Sequence, residues 1–379
     1  MERRRLRETS IDLFAKLARV SWPFVLLVVL LGVVGYAALY SAACGAPRPY
    51  AEPQAIRFAI GVLAMLVIAM VDIRFIARLA WPLYVVGIAL LLLVAGFGHI
   101  SNGARRWVVV AGVDLQPSEL MKLLLILALA AWFRRASWER VGNPLFLVPP
   151  ILATAVPAFL ILREPNLGTA VITLSIGGAI FWAAGVRWWK FALVIALAAV
   201  IAPIAYAHLH GYQRQRILTF LHPSRDPLGT GYNIIQSKIA LGAGGMWGQG
   251  YLHGTQGQLD FLPEKQTDFI FALFSEEFGL VGGLALIGLL ALVILYTMAI
   301  GLACRHQFGR LVAVGVATNL FLYVFVNIAM VMGAIPVGGV PLPLISYGGS
   351  AMLAVMAGFG VLLSAHVHRD VEFPDAAGG

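Results

Sequence analysis

Ten long, mostly apolar runs dominate this sequence, at roughly residues 22–40, 54–71, 81–98, 118–133, 145–162, 168–184, 189–208, 269–300, 311–333 and 350–367. A run of about 18 or more apolar residues is long enough to cross a bilayer as a helix, and a helix apolar on every side cannot lie on the surface of a soluble domain. Only 12% of the chain is charged, about half the 25% or so of a soluble domain. The expected fold is therefore an all-α polytopic membrane protein with ten transmembrane helices. The fourth and sixth runs are the shortest, while the eighth is long enough to tilt or to bend near Gly279, Gly282 and Gly283.

Lys and Arg in the short connections set the orientation. With both termini inside, the inner segments hold sixteen of them, against six outside (Arg48, Arg57, Arg105, Arg106, Lys122, Arg163) once the long outer loop is set aside. Both termini are thus expected in the cytoplasm, and the net charge of +9 reflects topology rather than nucleic-acid binding. The chain divides into a basic cytoplasmic segment (1–21), a ten-helix membrane domain (22–367) and a cytoplasmic tail (368–379). The first run follows a basic leader as a secretory signal would, but its apolar stretch is too long. Cys44 is expected at the outer edge and Cys304 at the inner edge, too far apart for a disulfide.

One connection is long: residues 209–268, an extracytoplasmic loop between helices 7 and 8 with ten glycines. A loop of that length in a compact fold is functional or disordered. Within it "YNIIQSKIAL" (232–241) has the spacing of a short amphipathic helix. "GAGGMWGQGYLHGTQGQ" (242–258) imitates a phosphate-cradling loop but lacks the preceding strand and the Lys-Ser/Thr end. On the same side, "SNGARRWVVVAGVDLQPSELMK" (101–122) is basic and enters a helix through Pro117 and Ser118. "PVGGVPLPLISYGGSA" (336–351) has three prolines and four glycines, so it is expected to be non-helical and packed against protein, as irregular backbone at membrane depth must be.

The stretch "FLPEKQTDFIFALFSEEFG" (261–279) carries Glu264, Asp268, Glu276 and Glu277 into and beside the eighth run. Helical spacing puts Glu276 about 80° around from Asp268 and roughly 12 Å deeper, with Glu277 on the opposite side, so these acids form no metal cage. A membrane-embedded ion costs about 2.5–3.5 kcal/mol on insertion scales and needs a partner. The plain expectation for Glu276 and Glu277 is an ion pair, whereas Asp268 sits at the water boundary within reach of a substrate. Glu119 and Lys122, three apart, share one helix face, either as a neutralising pair or as ligand contacts. Arg57, Arg106 and Lys122 put cations on the side that topology depletes of them, which suits an anionic lipid head group. His208 and His210 point apart on a helix, and no metal set, Ser/His/Asp arrangement, HExxH or Walker motif is present.

At "GYLHGTQGQLDFLPEKQTDFIFALFSEEFGLVGG" (250–283) the chain resembles the SEDS family of bacterial membrane proteins, the group of RodA, FtsW and the sporulation homologue. "GARRW" (103–107), "QPSELMK" (116–122) and "GAIPVGGVPLPLISYGGSA" (333–351) carry the same likeness, and "HGTQGQLDFLPE" (253–264) is similar to the RodA branch. Gln266 departs from the pattern, since the family usually has His before Thr-Asp. The resemblance implies a peptidoglycan glycosyltransferase of the cytoplasmic membrane that polymerises lipid II into glycan strands on the outer face during cell elongation. It also implies a class B penicillin-binding protein as partner, with other membrane proteins of the elongation complex. Residue by residue, it places the essential acid on Asp268 and important charged positions on Arg57, Arg106, Glu119 and Lys122. The chemistry asks for a base at the acceptor hydroxyl and cations at a leaving pyrophosphate. No cofactor is required by it, and Mg²⁺ is left open. A lipid II flippase and a non-catalytic scaffold are the rival readings.

Overall fold

The computed structural model describes residues 12–371 except 98, 102–103, 111–112, 165 and 208–229. A short helix α1 (Leu13–Arg19) leads into α2 (Trp22–Ala42), α3 (Ala51–Met70) and α4 (Ile73–Phe97). Strands β1 (His99–Ser101), β2 (Ala104–Val110) and β3 (Val113–Leu115) precede α5 (Pro117–Phe133), α6 (Trp138–Gly142), α7 (Pro144–Arg163), α8 (Leu167–Ala183) and α9 (Trp188–Ala207). Then come α10 (Thr230–Ala243), α11 (Thr255–Gln258), α12 (Ile270–Ala303), α13 (Gln307–Val331) and α14 (Gly349–Val367).

Every apolar run carries one of these helices. Seven of them (α2, α3, α4, α7, α12, α13 and α14) are long and apolar enough to cross a membrane among the described residues. Leu26, Leu63, Leu193 and Leu295 are exposed on the bundle's flanks, a surface that would be anomalous in water but suits acyl chains. The local reasons are ordinary. Pro117 opens α5 where its missing N–H costs nothing. Asn143 caps α7 by accepting from Leu145 N at 3.0 Å, and Asn166 caps α8 by accepting from Thr169 N at 3.3 Å.

The helical architecture carries one addition. Strands β1, β2 and β3 pair as a small antiparallel sheet, with β2 between β1 and β3 and with Ile100 opposite Arg105 and Val109 opposite Asp114. The β-branched run Val108–Val110 favours a strand, a signal masked by the basic residues beside it. The expected amphipathic helix at 232–241 is present as α10, and the segment 332–348 is non-helical with Val340, Leu342, Leu344 and Ile345 buried. His208, His210 and His222, with much of the long outer loop, lie outside the described residues.

α5 runs through the middle of the bundle, buried continuously from Met121 to Ala130 and packed on α4, α7, α8, α13 and α14. α14 lies along α3, and α12 along α13. α12 is broken, as its glycines suggest: Gly279 has φ 68° and ψ −167°. The freed backbone groups are met by the Gly-rich loop. Gln249 N donates to Glu276 O and Gly250 N to Glu277 O, both at 3.0 Å, while Leu280 N and Val281 N donate to Gly245 O (2.9 Å) and Met246 O (3.2 Å). A Cβ on Gly248 would overlap the Glu277 carbonyl, and one on Gly279 would overlap the Gly248 backbone. The glycines let two backbones touch.

Candidate active site

A cleft of about 360 Å³ opens where the start of α12, the non-helical segment 332–348, and the beginnings of α5 and α14 meet. Asp268, two residues before α12 and half-buried, lines it. A Cβ added to Gly339 would lie 3.7 Å from Asp268 Oδ2, so the carboxylate faces that segment across van der Waals distance. Glu264 and Glu119 line the same cleft, with Trp107 of β2, Tyr323 of α13 and Tyr347 completing much of the wall. Three carboxylates line this cleft, and no Lys or Arg lines it among the described residues.

Glu264 adopts φ 53°, which is uncommon for a residue other than glycine and recurs at functional sites. Its Oε2 accepts from Thr267 Oγ1 at 2.9 Å, and its main-chain oxygen accepts from Thr267 N at 3.1 Å and Phe269 N at 3.3 Å. This turn delivers Asp268 to the cleft mouth.

Glu119 and Lys122 do form the pair that their spacing suggests, at 2.8 Å. Tyr323 OH donates to Glu119 Oε2 and accepts from Lys122 Nζ, so three polar side chains satisfy one another inside the bundle. Lys122 is 1% exposed and does not line the cleft; it stands behind Glu119. Because α5 is the central helix, both charges are desolvated, and each needs the other. The expectation that Lys122 meets a ligand directly finds no support in this placement. Arg57 stands at the rim, with its guanidinium carbon 5.1 Å from the centre of the Tyr347 ring. Arg106 lies on β2, next to the cleft-lining Trp107, and its side chain is outside the described residues.

Glu276 and Glu277 are elsewhere, and neither forms an ion pair among the described residues. Glu276 accepts from Gln256 N at 2.8 Å, Gly257 N at 3.3 Å and Thr255 Oγ1 at 3.3 Å. It thereby caps the start of α11 from across the chain. Glu277 accepts from Ser41 Oγ on α2. The expected ion pairs are replaced by hydrogen bonds, because the polar loop folds back along α12 and supplies donors.

Sequence reasoning missed Tyr323, Trp107 and Tyr347, and gave Glu264 no role. No local pattern marks Tyr323, which meets Glu119 from 204 positions away. The φ of Glu264 has no sequence signal either. Gln54 Nε2 donates to Ser346 O at 3.0 Å, which ties α3 to the cleft wall without any charge to flag it.

An acid-bearing cleft roofed by a non-helical connection, set into an apolar helical bundle, defines a polar site within a polytopic helical membrane protein. Residues 18–371 match the FtsW/RodA/SpoVE family of cell cycle proteins, and the chain belongs to that family. Over 350 residues it is 43% identical to the peptidoglycan glycosyltransferase MrdB of Escherichia coli K12, covering 91% of this chain and 93% of that one. Stage V sporulation protein E of Bacillus subtilis is 36% identical over 320 residues, covering 83% and 86%. Among solved structures, a chain of a peptidoglycan synthase complex that coordinates polymerization and crosslinking superposes with TM-score 0.80 at 35% identity, covering 92% of this chain and 98% of that chain. The rod shape determining protein RodA of Thermus thermophilus superposes with TM-score 0.70 at 29% identity, covering 93% and 98%.

Proposed function

We propose that this chain is a peptidoglycan glycosyltransferase that polymerises lipid II into glycan strands, with Asp268 as the general base. The observation that carries the reading is the position of Asp268: a carboxylate at the mouth of a half-helix, directed at a cleft roomy enough for a sugar ring. Chain extension needs the acceptor hydroxyl deprotonated as it attacks the anomeric carbon, and one carboxylate within hydrogen-bond reach serves. The lipid pyrophosphate leaves unaided by a second acid, so the carboxylate pair of a glycosidase is not needed. Arg57 at the rim and Arg106 beside Trp107 are the cations for the departing charge. Glu119 borders the substrate space, and Lys122 holds it there. Mg²⁺ binds through one or two carboxylates together with substrate phosphates; among the described residues no group of three or more His, Cys, Asp or Glu is placed to hold a metal ion, so substrate phosphates would have to complete its shell. When bound, it would neutralise pyrophosphate charge.

In this reading all ten helices cross the cytoplasmic membrane, both termini are cytoplasmic, and the cleft faces outward. Its partner is a class B penicillin-binding protein of the elongation machinery. Similarity to a chain of a polymerising and crosslinking complex supports that partnership. The deciding experiment incubates the purified full-length chain with labelled lipid II and resolves the products on a gel. A ladder of glycan strands supports the transferase. Lipid II moved across vesicle membranes without a ladder makes the chain a flippase, and neither activity leaves a scaffold.

A further inference from the structure

Three consecutive main-chain carbonyls lead into α12, and each is held by a donor from a distant part of the chain. Gln266 O accepts from Tyr347 N at 2.8 Å. Thr267 O accepts from Ser346 Oγ at 2.5 Å. Asp268 O accepts from Asn327 Nδ2 at 2.9 Å. Tyr347 and Ser346 belong to the non-helical connection, and Asn327 to α13. The same Asn327 nitrogen also donates to Val340 O at 2.8 Å. One amide therefore joins the acid-bearing turn to the cleft wall, beside the glycine that faces the Asp268 carboxylate.

Asn327 is fully buried, and its Oδ1 has no hydrogen-bond partner among the described residues. An amide set between two carbonyls must present its nitrogen to them, which leaves its oxygen turned away. An unpaired buried acceptor lowers stability. The site tolerates that cost to keep the nitrogen where it is.

We infer that Asn327 is a positioning residue for the transfer reaction: it fixes the height of Asp268 against the 336–348 wall without touching substrate. The inference rests on the reading of Asp268 as the base. An aspartate side chain is short, so its main chain decides where the carboxylate reaches. A base works only within about 2.6–3.2 Å of the proton it takes, and a misplacement of about 1 Å can cost about 10²-fold in rate. Two donated hydrogen bonds from one buried amide supply that constraint, and Ser346 and Tyr347 hold the two residues before it.

The test uses the full-length chain in the lipid II polymerisation assay. Asn327→Leu keeps the size of the side chain and removes the donor. The expected result is kcat lower by about 10²-fold with KM for lipid II little changed. In an Asp268→Glu background, where the carboxylate is already displaced, the added loss should be well under that factor, because both changes act on one placement. A residue that merely holds the fold together would cost the same factor in both backgrounds, and that result overturns the inference. So does near wild-type kcat in N327L, or a raised KM with unchanged kcat. Asn327→Ser, which retains a hydroxyl donor, is carried through the same pair of backgrounds and decides the matter if N327L does not fold. Near wild-type polymerisation by D268N is a different outcome, since it removes the base itself. A collapse of D268N together with equal N327L losses in both backgrounds overturns the role of Asn327 alone.

Discussion

Asp268 and Glu276 lie eight residues apart at the head of the same helix, and their surroundings have nothing in common. Glu276 is fully buried and surrounded by donors, two of them backbone N–H groups at the start of α11. Asp268 is half-buried at the edge of a cavity, with its main chain rather than its carboxylate held by Asn327. A carboxylate whose oxygens are consumed by backbone donors is fastening a loop. A carboxylate at the edge of a cleft, with its main chain anchored from behind, is placed where a substrate could meet it. In a chain this apolar, acidity alone does not mark a candidate catalytic group; placement against a cleft separates the two acids.

The largest effect that this contrast predicts falls on Asp268. Asp268→Asn keeps size and shape but accepts no proton, so polymerisation should fall by about 10²–10⁴-fold while the melting temperature holds. Asp268→Glu should be poor yet measurably better. Gel-resolved glycan products from the two variants test the ordering, and a D268N protein that polymerises normally breaks the comparison at its root.

Next in size is the buried pair. Lys122→Ala leaves Glu119 charged and unneutralised inside the bundle, which typically costs about 3–5 kcal/mol. Exchanging both partners, Glu119→Gln with Lys122→Ala, should restore most of the thermal stability. If the double variant melts like the parent but makes no glycan, the pair also serves the substrate. Recovery of both makes it structural.

Glu276→Gln should remove charge-assisted hydrogen bonds worth about 1.5–3 kcal/mol and lower the melting temperature, with polymerisation per folded molecule retained. Should E276Q lose activity as D268N does without a change in melting, the contrast between the two acids fails and the reactive centre moves into the bundle.

The smallest effect appears only in acid. His306 caps α13 by accepting from Gly309 N at 2.9 Å, which needs an unprotonated ring nitrogen. Burial pushes its pKa down from 6.5 to about 4. The unfolded chain therefore takes up a proton that the folded chain refuses. The stabilisation is complete above pH 6.5 and declines as pH falls toward 4, with a slope of at most about 1.4 kcal/mol per pH unit. Melting curves at stepped pH should show the decline, and His306→Asn, which keeps a capping oxygen and does not titrate, should make it shallower.

Much of this architecture is written locally. Apolar run length located a helix in each of the ten runs, seven of them long and apolar enough to cross a membrane among the described residues. The glycines at 279, 282 and 283 marked the region of the break, and the prolines and glycines after 336 excluded a helix as far as residue 348. The three-residue spacing of Glu119 and Lys122 foretold their contact. The cleft itself was only partly legible. Asp268 was reached through its position at the water boundary and through family likeness, but Tyr323 meets Glu119 from 204 positions away, Ser346 meets Thr267 from 79 and Asn327 meets Asp268 from 59. Contacts at that range follow from how helices pack, and no periodicity announces them. The Gly-rich loop was legible only in part, for a related reason. Its composition reports close backbone approach, and only the fold reveals that the approaching partner is α12 rather than a phosphate.

The break at Gly279 has a consequence for exchanging parts between relatives. Residues 245–250 complete the backbone hydrogen bonding of residues 276–281, so the two stretches make up one unit divided across the sequence. A chimera that grafts the outer loop from a homologue while keeping the native helix would pair two backbones that never adapted to each other. Either cut would leave donors and acceptors bare inside the bundle. The smallest transplantable module runs from the loop through the break, and it takes Asp268 with it.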